Sequence, residues 1–368
     1  MFTPRMIFWE LTDRCNLACI HCRGGDHRAP AIEKELSTVE AKSFIDAVSM
    51  VYKPVIVLTG GEPLYRDDVF EIASHIRNRG LRAALATNGT LVNSEIAERI
   101  REAGITRVSI SIDGAESGFH DDFRGVPGSF LGALDGARAL RDAGVEFQFN
   151  MTVTRGNSNQ MPAVFQLAEK VGAKGLHFFM LVPVGCGVEL AEAEMLSPDE
   201  YEEILDRYWH LSQETALETK ATCAPHYARI NSFNNRRYAQ DRDSGPSGIP
   251  RLKTSVPGAV NTGGSRPPSL GCLAGTAVCF ISHIGEVRPC GYFNVAAGNI
   301  KDTPFREIWE NSPLFSDLRE PGKLKGKCGF CEYKTTCGGC RARAFQVTGD
   351  FLAEEPFCRY VPPGFEGP

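Results

Sequence analysis

The chain has 368 residues, of which 42% are hydrophobic and 23% charged, and its formal net charge is −5. This length and apolar content suffice for one large core and a smaller appended module. The modest negative charge excludes a broad basic surface for nucleic acid. No apolar run is long enough to span a bilayer, and the N-terminal residues lack a signal-peptide pattern. We therefore expect a cytoplasmic protein that binds neither nucleic acid nor membrane.

The first half of the chain alternates apolar, strand-like runs with amphipathic, helix-like segments. Nearly continuous apolar strands are typical of a parallel sheet covered by helices, and six such βα repeats predict a barrel-like α/β domain. The alternation stops near residue 185, which does not support an eight-unit barrel. Strands are predicted at residues 6–12, 55–59, 83–87, 107–112, 146–153 and 176–182, and helices at 38–50, 67–79, 94–103, 130–143 and 162–171.

Three cysteines follow the first predicted strand. Cys15, Cys19 and Cys22 have the spacing Cys-x3-Cys-x2-Cys, which can place three thiolates on one 4Fe–4S cluster and leave the fourth iron without a protein ligand. An open coordination position can bind and activate a small molecule, whereas a closed site is structural or carries electrons. The alternative for this trio is a zinc site or chance clustering.

Later strands also end in residues that suit ligand binding. Gly60 and Gly61 let a ligand approach the backbone, and the neighbouring Glu62 can pair with an ammonium group; the alternative is an ordinary βα turn. Ser111 and Asp113 are candidates at the end of the fourth predicted strand, where loop capping is the alternative. Arg124 lies in the loop that follows, and a surface ion pair is its alternative. Asn150 and Thr152 alternate with apolar residues on the fifth predicted strand and could face the barrel interior.

The second half begins with a predicted helix over residues 197–218, with Ser197 as N-cap and Pro198 at the first helical position. Residues 241–270 are rich in Pro, Gly and Ser and predict either a lid over the site or disorder. Two short strands, 278–282 and 286–289, are predicted around a turn at Gly285, followed by a helix at 304–311. The low apolar content of this last segment indicates that bound metal contributes to its stability.

Cysteines are concentrated in the C-terminal segment. The chain has 13, and eight of them lie between Cys272 and Cys358. In a cytoplasmic chain this density indicates metal or redox chemistry rather than disulfides. Eight cysteines divide naturally into two sets of four, each able to close one site. From these residues alone, structural zinc and iron–sulfur clusters both remain open.

The trio, the Gly60-Gly61-Glu62 segment one βα unit later and the C-terminal cysteines together resemble the radical S-adenosylmethionine (SAM) enzymes with a SPASM extension. This resemblance implies an α/β fold, a partial (β/α)6 TIM-like barrel with a C-terminal cysteine-rich SPASM domain. It also implies that the trio holds a 4Fe–4S cluster whose open iron binds SAM, and that SAM is cleaved to a hydrogen-abstracting 5′-deoxyadenosyl radical. We expect a barrel at 1–196, a bridging helix and mobile substrate-side loop at 197–270, and the SPASM domain at 271–368.

The resemblance also assigns roles to the candidate residues. The Gly60–Glu62 segment would bind the SAM amino group, Arg124 the SAM carboxylate, and Ser111 and Asp113 the ribose, with Asn150 and Thr152 as further cofactor contacts. A first auxiliary 4Fe–4S cluster would take Cys272, Cys279, Cys290 and Cys340, and a second would take Cys328, Cys331, Cys337 and Cys358. The gap between Cys337 and Cys340 is one residue shorter than is usual in the family. This difference affects how the eight cysteines are assigned to the two clusters.

Four stretches, beginning at Trp9, Lys220, Gly271 and Cys340, further resemble the haem b synthases (AhbD-like) of the siroheme-dependent haem pathway. The implied reaction is oxidative decarboxylation of the two propionates of iron-coproporphyrin III to vinyls, with a low-potential electron donor such as ferredoxin or flavodoxin. His226, Tyr227 and Arg229 are the predicted substrate contacts. Alternatives are a related tetrapyrrole enzyme (didecarboxysiroheme deacetylase or haem d1 type), a peptide-modifying maturase, or a zinc-stabilised binding module without radical chemistry.

Overall fold

The computed structural model describes residues 2–25, 35–243 and 271–367. The strands in these ranges are β1 Met6–Glu10, β2 Val55–Thr59, β3 Arg82–Thr87, β4 Ile105–Ser111, β5 Phe147–Val153, β6 Gly175–Met180, β7 Glu218–Thr222, β8 Val278–Ile281, β9 Glu286–Arg288 and β10 Gly298–Asn299. The helices are α1 Thr38–Val51, α2 Val69–Asn78, α3 Ser94–Ala103, α4 Ser117–Arg124, α5 Ser129–Asp142, α6 Met161–Val171, α7 Ala191–Glu194, α8 Pro198–Glu214, α9 Tyr227–Asp243, α10 Phe305–Asn311, α11 Pro313–Leu318, α12 Gly326–Phe330 and α13 Arg341–Thr348. None of these helices is long and apolar enough to cross a bilayer.

All the strands belong to one sheet, in the order β10-β9-β8-β1-β2-β3-β4-β5-β6-β7. Strands β1 to β7 are parallel and follow chain order, β8 lies parallel to β1, and β9 and β10 continue the sheet antiparallel. Because parallel strands end at the same edge, the loops after β1, β2, β3 and β4 meet at one side of the sheet. The predicted six-repeat α/β architecture is confirmed.

One segment folds differently from its prediction. The helix predicted over 197–218 begins as expected, with a capping box between Ser197 and Glu200, but ends at Glu214. The following residues form β7, which pairs with β6 in the register Gly175↔Glu218. Tertiary pairing decides the conformation here, because this short polar stretch carries no strong strand pattern of its own. The predicted loop at 241–270 begins within α9 and, from residue 244, lies outside the described residues.

The two faces of the parallel sheet have different characters. In β5 the side chains of Phe147, Phe149 and Met151 are buried in the core, while Asn150 and Thr152 between them are half-buried. Successive side chains of a strand point to opposite faces, so the apolar residues pack against the covering helices. The other face, the barrel interior, is lined by polar side chains that a packed core would not accept.

The C-terminal segment packs against the start of the barrel. The Phe305 ring of α10 lies edge-on to Phe44 of α1, with centroids 5.7 Å apart, and to Tyr52, at 6.2 Å. The indole Nε1 of Trp309 donates to the carbonyl of Phe2 (3.0 Å). Together with the pairing of β8 on β1, these contacts make one continuous core from the two ends of the chain.

Replacing Phe305 with alanine therefore tests this junction. We expect Phe305→Ala to lower the free energy of unfolding by about 3–5 kcal/mol, because it removes a buried ring shared by two helices. The matched control is Phe330→Ala, where the ring is 56% exposed, with an expected loss within about 0.5 kcal/mol. Chemical denaturation followed by circular dichroism measures both. Equal losses in the two variants would contradict the shared core.

Candidate active site and cluster sites

The cysteine trio lies on the loop after β1, at the carboxyl edge of the sheet. Four glycines from three other loops approach this loop so closely that a Cβ on any of them would lie less than 3 Å from one of its carbonyl oxygens. The pairs are Gly60 with Thr12, Gly61 with Arg14, Gly125 with Ala18, and Gly185 with Cys22. Backbone hydrogen bonds reinforce this contact, including Glu62 N to Arg14 O (2.7 Å). The loop backbone is thus fixed on three sides.

Hydrogen-bond donors approach two of the three thiols of the trio. Cys15 Sγ accepts from Leu17 N (3.5 Å) and lies 4.0 Å from Asn88 Nδ2, and Cys19 Sγ accepts from Arg124 Nη1 (3.7 Å). Burial raises the pKa of Cys15 to about 12, but a coordinating metal deprotonates such a thiol, and these donors stabilise the thiolate. Three thiols on one loop, with donors directed at two of them, fit an iron–sulfur cluster.

Glu62 is completely buried and connects the second and third βα loops. Its carboxylate accepts hydrogen bonds from Leu64 N (3.2 Å), Thr87 Oγ1 (2.8 Å) and Asn88 N (2.8 Å). Burial raises the pKa of Glu62 to about 7, although these bonds oppose the shift. The carboxylate is thus directed at protein donors, beside the backbone of Gly60 and Gly61. Contact of this segment with the SAM amino group stays a prediction.

Asp113 and Arg124, predicted as separate SAM contacts, pair with each other. Arg124 Nε and Nη2 lie 2.6 and 2.5 Å from Asp113 Oδ2, and Thr152 N donates to Asp113 Oδ1 (2.8 Å). Burial opposes ionisation of Asp113, but Arg124, the nearby His21 and His120 and the hydrogen bond from Thr152 N together lower the pKa of this carboxyl. Because Arg124 also reaches Cys19, the pair ties β4 and α4 to the trio. Contacts of these three residues with SAM remain predictions.

A row of polar side chains crosses the barrel interior. Strand register aligns Ser111, Asn150, His177 and Lys220 on one face of four adjacent strands. Gln148 Nε2 bonds both Asn150 Oδ1 (3.0 Å) and His177 Nδ1 (2.8 Å). The row supports the expected inward position of Asn150. Lys220 was not predicted, because its place in the row depends on β7.

The structure brings together the second predicted set of C-terminal cysteines. Cys328, Cys331, Cys337 and Cys358 line one pocket. His226 lines the same pocket, and both of its ring nitrogens are buried without a hydrogen-bond partner among the described residues. Four thiols around one recess fit a closed four-cysteine cluster site.

The first predicted set is only partly assembled. Cys272 and Cys290 lie near Cys340, but Cys279 is completely buried in the barrel core, in register with Ile7. The sequence motif alone could not reveal this, because it does not show which face of the short strand β8 each side chain occupies.

Two of the three predicted substrate contacts have protein partners. Tyr227 packs edge-on against Tyr208, with centroids 5.0 Å apart, and Arg229 pairs with Glu202 (2.6 Å). His226 lies in the cysteine pocket, where burial lowers the pKa of its ring to about 3 and both ring nitrogens lack a hydrogen-bond partner among the described residues. The substrate role of all three residues stays a prediction.

Comparison with known proteins agrees with this geometry. Residues 9–168 match the family model of the radical SAM superfamily, and residues 272–341 match the SPASM model, described as an iron–sulfur cluster-binding domain. The fold resembles that of Streptococcus suis SuiB bound to S-adenosylmethionine, with a TM-score of 0.70 at 14% identity over 97% of this chain and 78% of that one. The predicted cofactors, a 4Fe–4S cluster with SAM and auxiliary clusters in the SPASM segment, are supported.

Full-length relatives define the group more closely. The AdoMet-dependent heme synthase of Methanosarcina barkeri is 49% identical over 98% of this chain and 97% of its own length, and that of Nitratidesulfovibrio vulgaris is 45% identical over 98% and 93%. The pre-heme d1 synthase of Dinoroseobacter shibae is 34% identical over 97% and 86%. The chain therefore belongs to the radical SAM superfamily of enzymes, within the SPASM-containing family of the AdoMet-dependent heme synthases.

Proposed function

We propose that this enzyme converts the two propionates of iron-coproporphyrin III to vinyl groups and so produces haem b. The observation that carries the proposal is the similarity of nearly the whole chain to heme synthases, at 45% and 49% identity. Identity falls to 34% for a pre-heme d1 synthase and to 30% for a mycofactocin maturase. This order favours haem synthesis over the related tetrapyrrole and peptide reactions.

The barrel interior suits such a substrate. Coprohaem is large and flat, with carboxylates at its rim, and needs a roomy recess and cations. Lys220 has no carboxylate partner among the described residues. The residue is exposed, yet desolvation by the surrounding protein lowers the pKa of its amine. This combination is expected of a cation inside a recess, where it can pair with a propionate.

In the reaction, each propionate loses one β-hydrogen atom, carbon dioxide and one electron. When bound, a cluster held by Cys15, Cys19 and Cys22 together with SAM would supply the radical that takes the hydrogen atom. The chain fixes the trio loop through Gly61, Gly125 and Gly185, and Lys220 orients the carboxylate.

The C-terminal cysteines are the residues that would hold an electron acceptor. Cys290 lies near Arg23, whose guanidinium covers the ring of Phe280 on the interior face of β8.

Reduction of the SAM-binding cluster needs one electron from outside the chain. The proposed donor is a low-potential ferredoxin or flavodoxin, and the proposed location of the enzyme is the cytoplasm. None of the 13 cysteines, all of which lie in the described ranges, forms a disulfide, which suits a reducing compartment.

Coprohaem turnover tests the reaction itself. The anaerobically loaded enzyme, incubated with SAM, a reductant and coprohaem, is expected to give two successive products, each lighter by carbon dioxide and two hydrogens. Mass spectrometry measures the porphyrin products, and chromatography of 5′-deoxyadenosine measures SAM cleavage. SAM cleavage without loss of mass from coprohaem would refute the proposal, and siroheme-derived tetrapyrroles and peptides would then be tried as substrates.

Replacement of Lys220 tests the propionate contact. Lys220→Met is expected to weaken coprohaem binding by about 1.5–3 kcal/mol, roughly 10- to 100-fold, because one charged hydrogen bond is lost. Lys220→Arg should retain most of the affinity. The control is Lys170→Met, at an exposed position of α6. Titration of the porphyrin absorbance measures binding, and unchanged affinity in Lys220→Met would contradict the contact.

Replacement of Gly61 tests how the trio loop is held. In Gly61→Ala the new methyl group would collide with Arg14 O, so we expect displacement of the loop, loss of SAM binding and loss of roughly four irons per chain. Gly118→Ala is the matched control, since nothing lies within 4 Å of its added methyl group. Iron analysis and equilibrium dialysis with SAM provide the measurements. Full iron and SAM binding in Gly61→Ala would show that close packing of the loop is dispensable.

A further inference from the structure

Cys223, a cysteine outside the C-terminal segment, lies among the cysteines of the first auxiliary site. Cys223, Cys290 and Cys340 pack in the same apolar cluster, together with Tyr292 and Phe293. The thiols of Cys223 and Cys340 are close enough to interact directly. Cys272 adjoins both Cys290 and Cys340. Four thiols from three parts of the chain are therefore grouped at one place.

Cys279 lies on the opposite side of the sheet from this group. Its neighbour Phe280 is covered by the Arg23 guanidinium, 4.4 Å from the ring, and contacts Gly291 next to Cys290. Adjacent side chains of a strand point to opposite faces, so Cys279 points away from Cys290. It is completely buried in the core, in register with Ile7. To reach the cysteine group, β8 would have to rotate and place Phe280 in the core instead.

The backbone at Cys223 is held in an unusual conformation. Cys223 has φ = 57° and is the only non-glycine residue of the described ranges in the left-handed region, where side chains other than glycine are disfavoured. Arg343 Nη2 donates to its carbonyl (2.9 Å). Arg343 also pairs with Glu355, which accepts from Cys340 N (2.6 Å). One side-chain pair thus positions the backbones of both Cys223 and Cys340.

We infer that Cys223 is the fourth ligand of the first auxiliary cluster, with Cys272, Cys290 and Cys340, and that Cys279 is a core residue. Four thiolates close a 4Fe–4S site. The segment after β7 then serves both auxiliary sites, because Cys223 reaches the first and His226, three residues later, lines the pocket of the second. The inference depends on cluster binding and not on the identity of the substrate.

The test uses the full-length chain with Cys15, Cys19 and Cys22 replaced by alanine, so that only auxiliary clusters are loaded. Cys223→Ala, Cys223→Ser and Cys279→Ala are each added to this parent, with Cys290→Ala as the positive control. After anaerobic reconstitution and reduction, iron content and electron paramagnetic resonance are measured. Carbon-13 cyanide is then added, and electron–nuclear double resonance detects whether it binds an iron that has lost its cysteine.

We expect Cys223→Ala and Cys290→Ala to show an altered signal from one auxiliary cluster and cyanide coupling. Cys279→Ala should match the parent in iron content and spectrum. Cys223→Ser keeps the shape of the side chain and offers a weaker oxygen ligand, so its spectrum should shift without loss of the fold. Cyanide binding in Cys279→Ala, or a parental spectrum in both Cys223 variants, would overturn the inference. No substrate is present, so the outcome is independent of haem synthesis.

Discussion

A buried ion pair between Arg343 and Glu355 connects the barrel to both C-terminal cysteine groups. Their side chains are 0% and 1% exposed, with Arg343 Nε 2.8 Å from Glu355 Oε1. Arg343 reaches Tyr201 Oη (2.8 Å) and the Cys223 carbonyl on the barrel side. Glu355 accepts from Cys340 N, and its own N–H points at Cys328 Sγ (3.3 Å). Removing one partner of such a pair typically costs about 3–5 kcal/mol, so we expect either change to weaken the junction.

The trio is held by an interaction of the same kind. Arg124 pairs with buried Asp113 and donates to Cys19 Sγ. In both places a guanidinium neutralises a carboxylate and also reaches a cysteine or its backbone. Arginine suits this task because its five donors lie in a fixed plane and it stays charged when buried. Each pair fixes the loop before a cofactor binds, which reduces the reorganisation that loading requires.

Several parts of this structure could be predicted from local sequence. The parallel strands were recognisable because both faces are covered and their apolar runs are nearly continuous, and the trio because its spacing is unusual. Strand β7 could not be predicted, since its short polar sequence forms a strand only beside β6. The Arg343–Glu355 pair had no motif to mark it. The position of Cys223 in the same cluster as Cys340 could not be predicted, because the two residues are more than 100 positions apart in the sequence.

The sequence also could not show which face of the sheet each side chain of β8 occupies. Alternation predicts that Cys279 and Phe280 occupy opposite faces, but sequence alone does not say which of them faces the barrel interior. Packing decides, because the Arg23 guanidinium covers Phe280 and the core around Ile7 encloses Cys279. A cysteine assigned as a cluster ligand from its spacing in a family motif can therefore reach the cluster only if its strand presents that side chain on the required face.

The pairing of β8 with β1 also governs the order of events during synthesis. The loop that holds the trio follows β1, and one of the two neighbours of β1 in the sheet, β8, begins only at Val278. Until the ribosome has passed that point, β1 has an open edge, a template for pairing with other chains. Contacts so distant in sequence also form slowly. The radical-generating loop thus reaches its final surroundings late, after the residues that will hold the auxiliary clusters have begun to emerge.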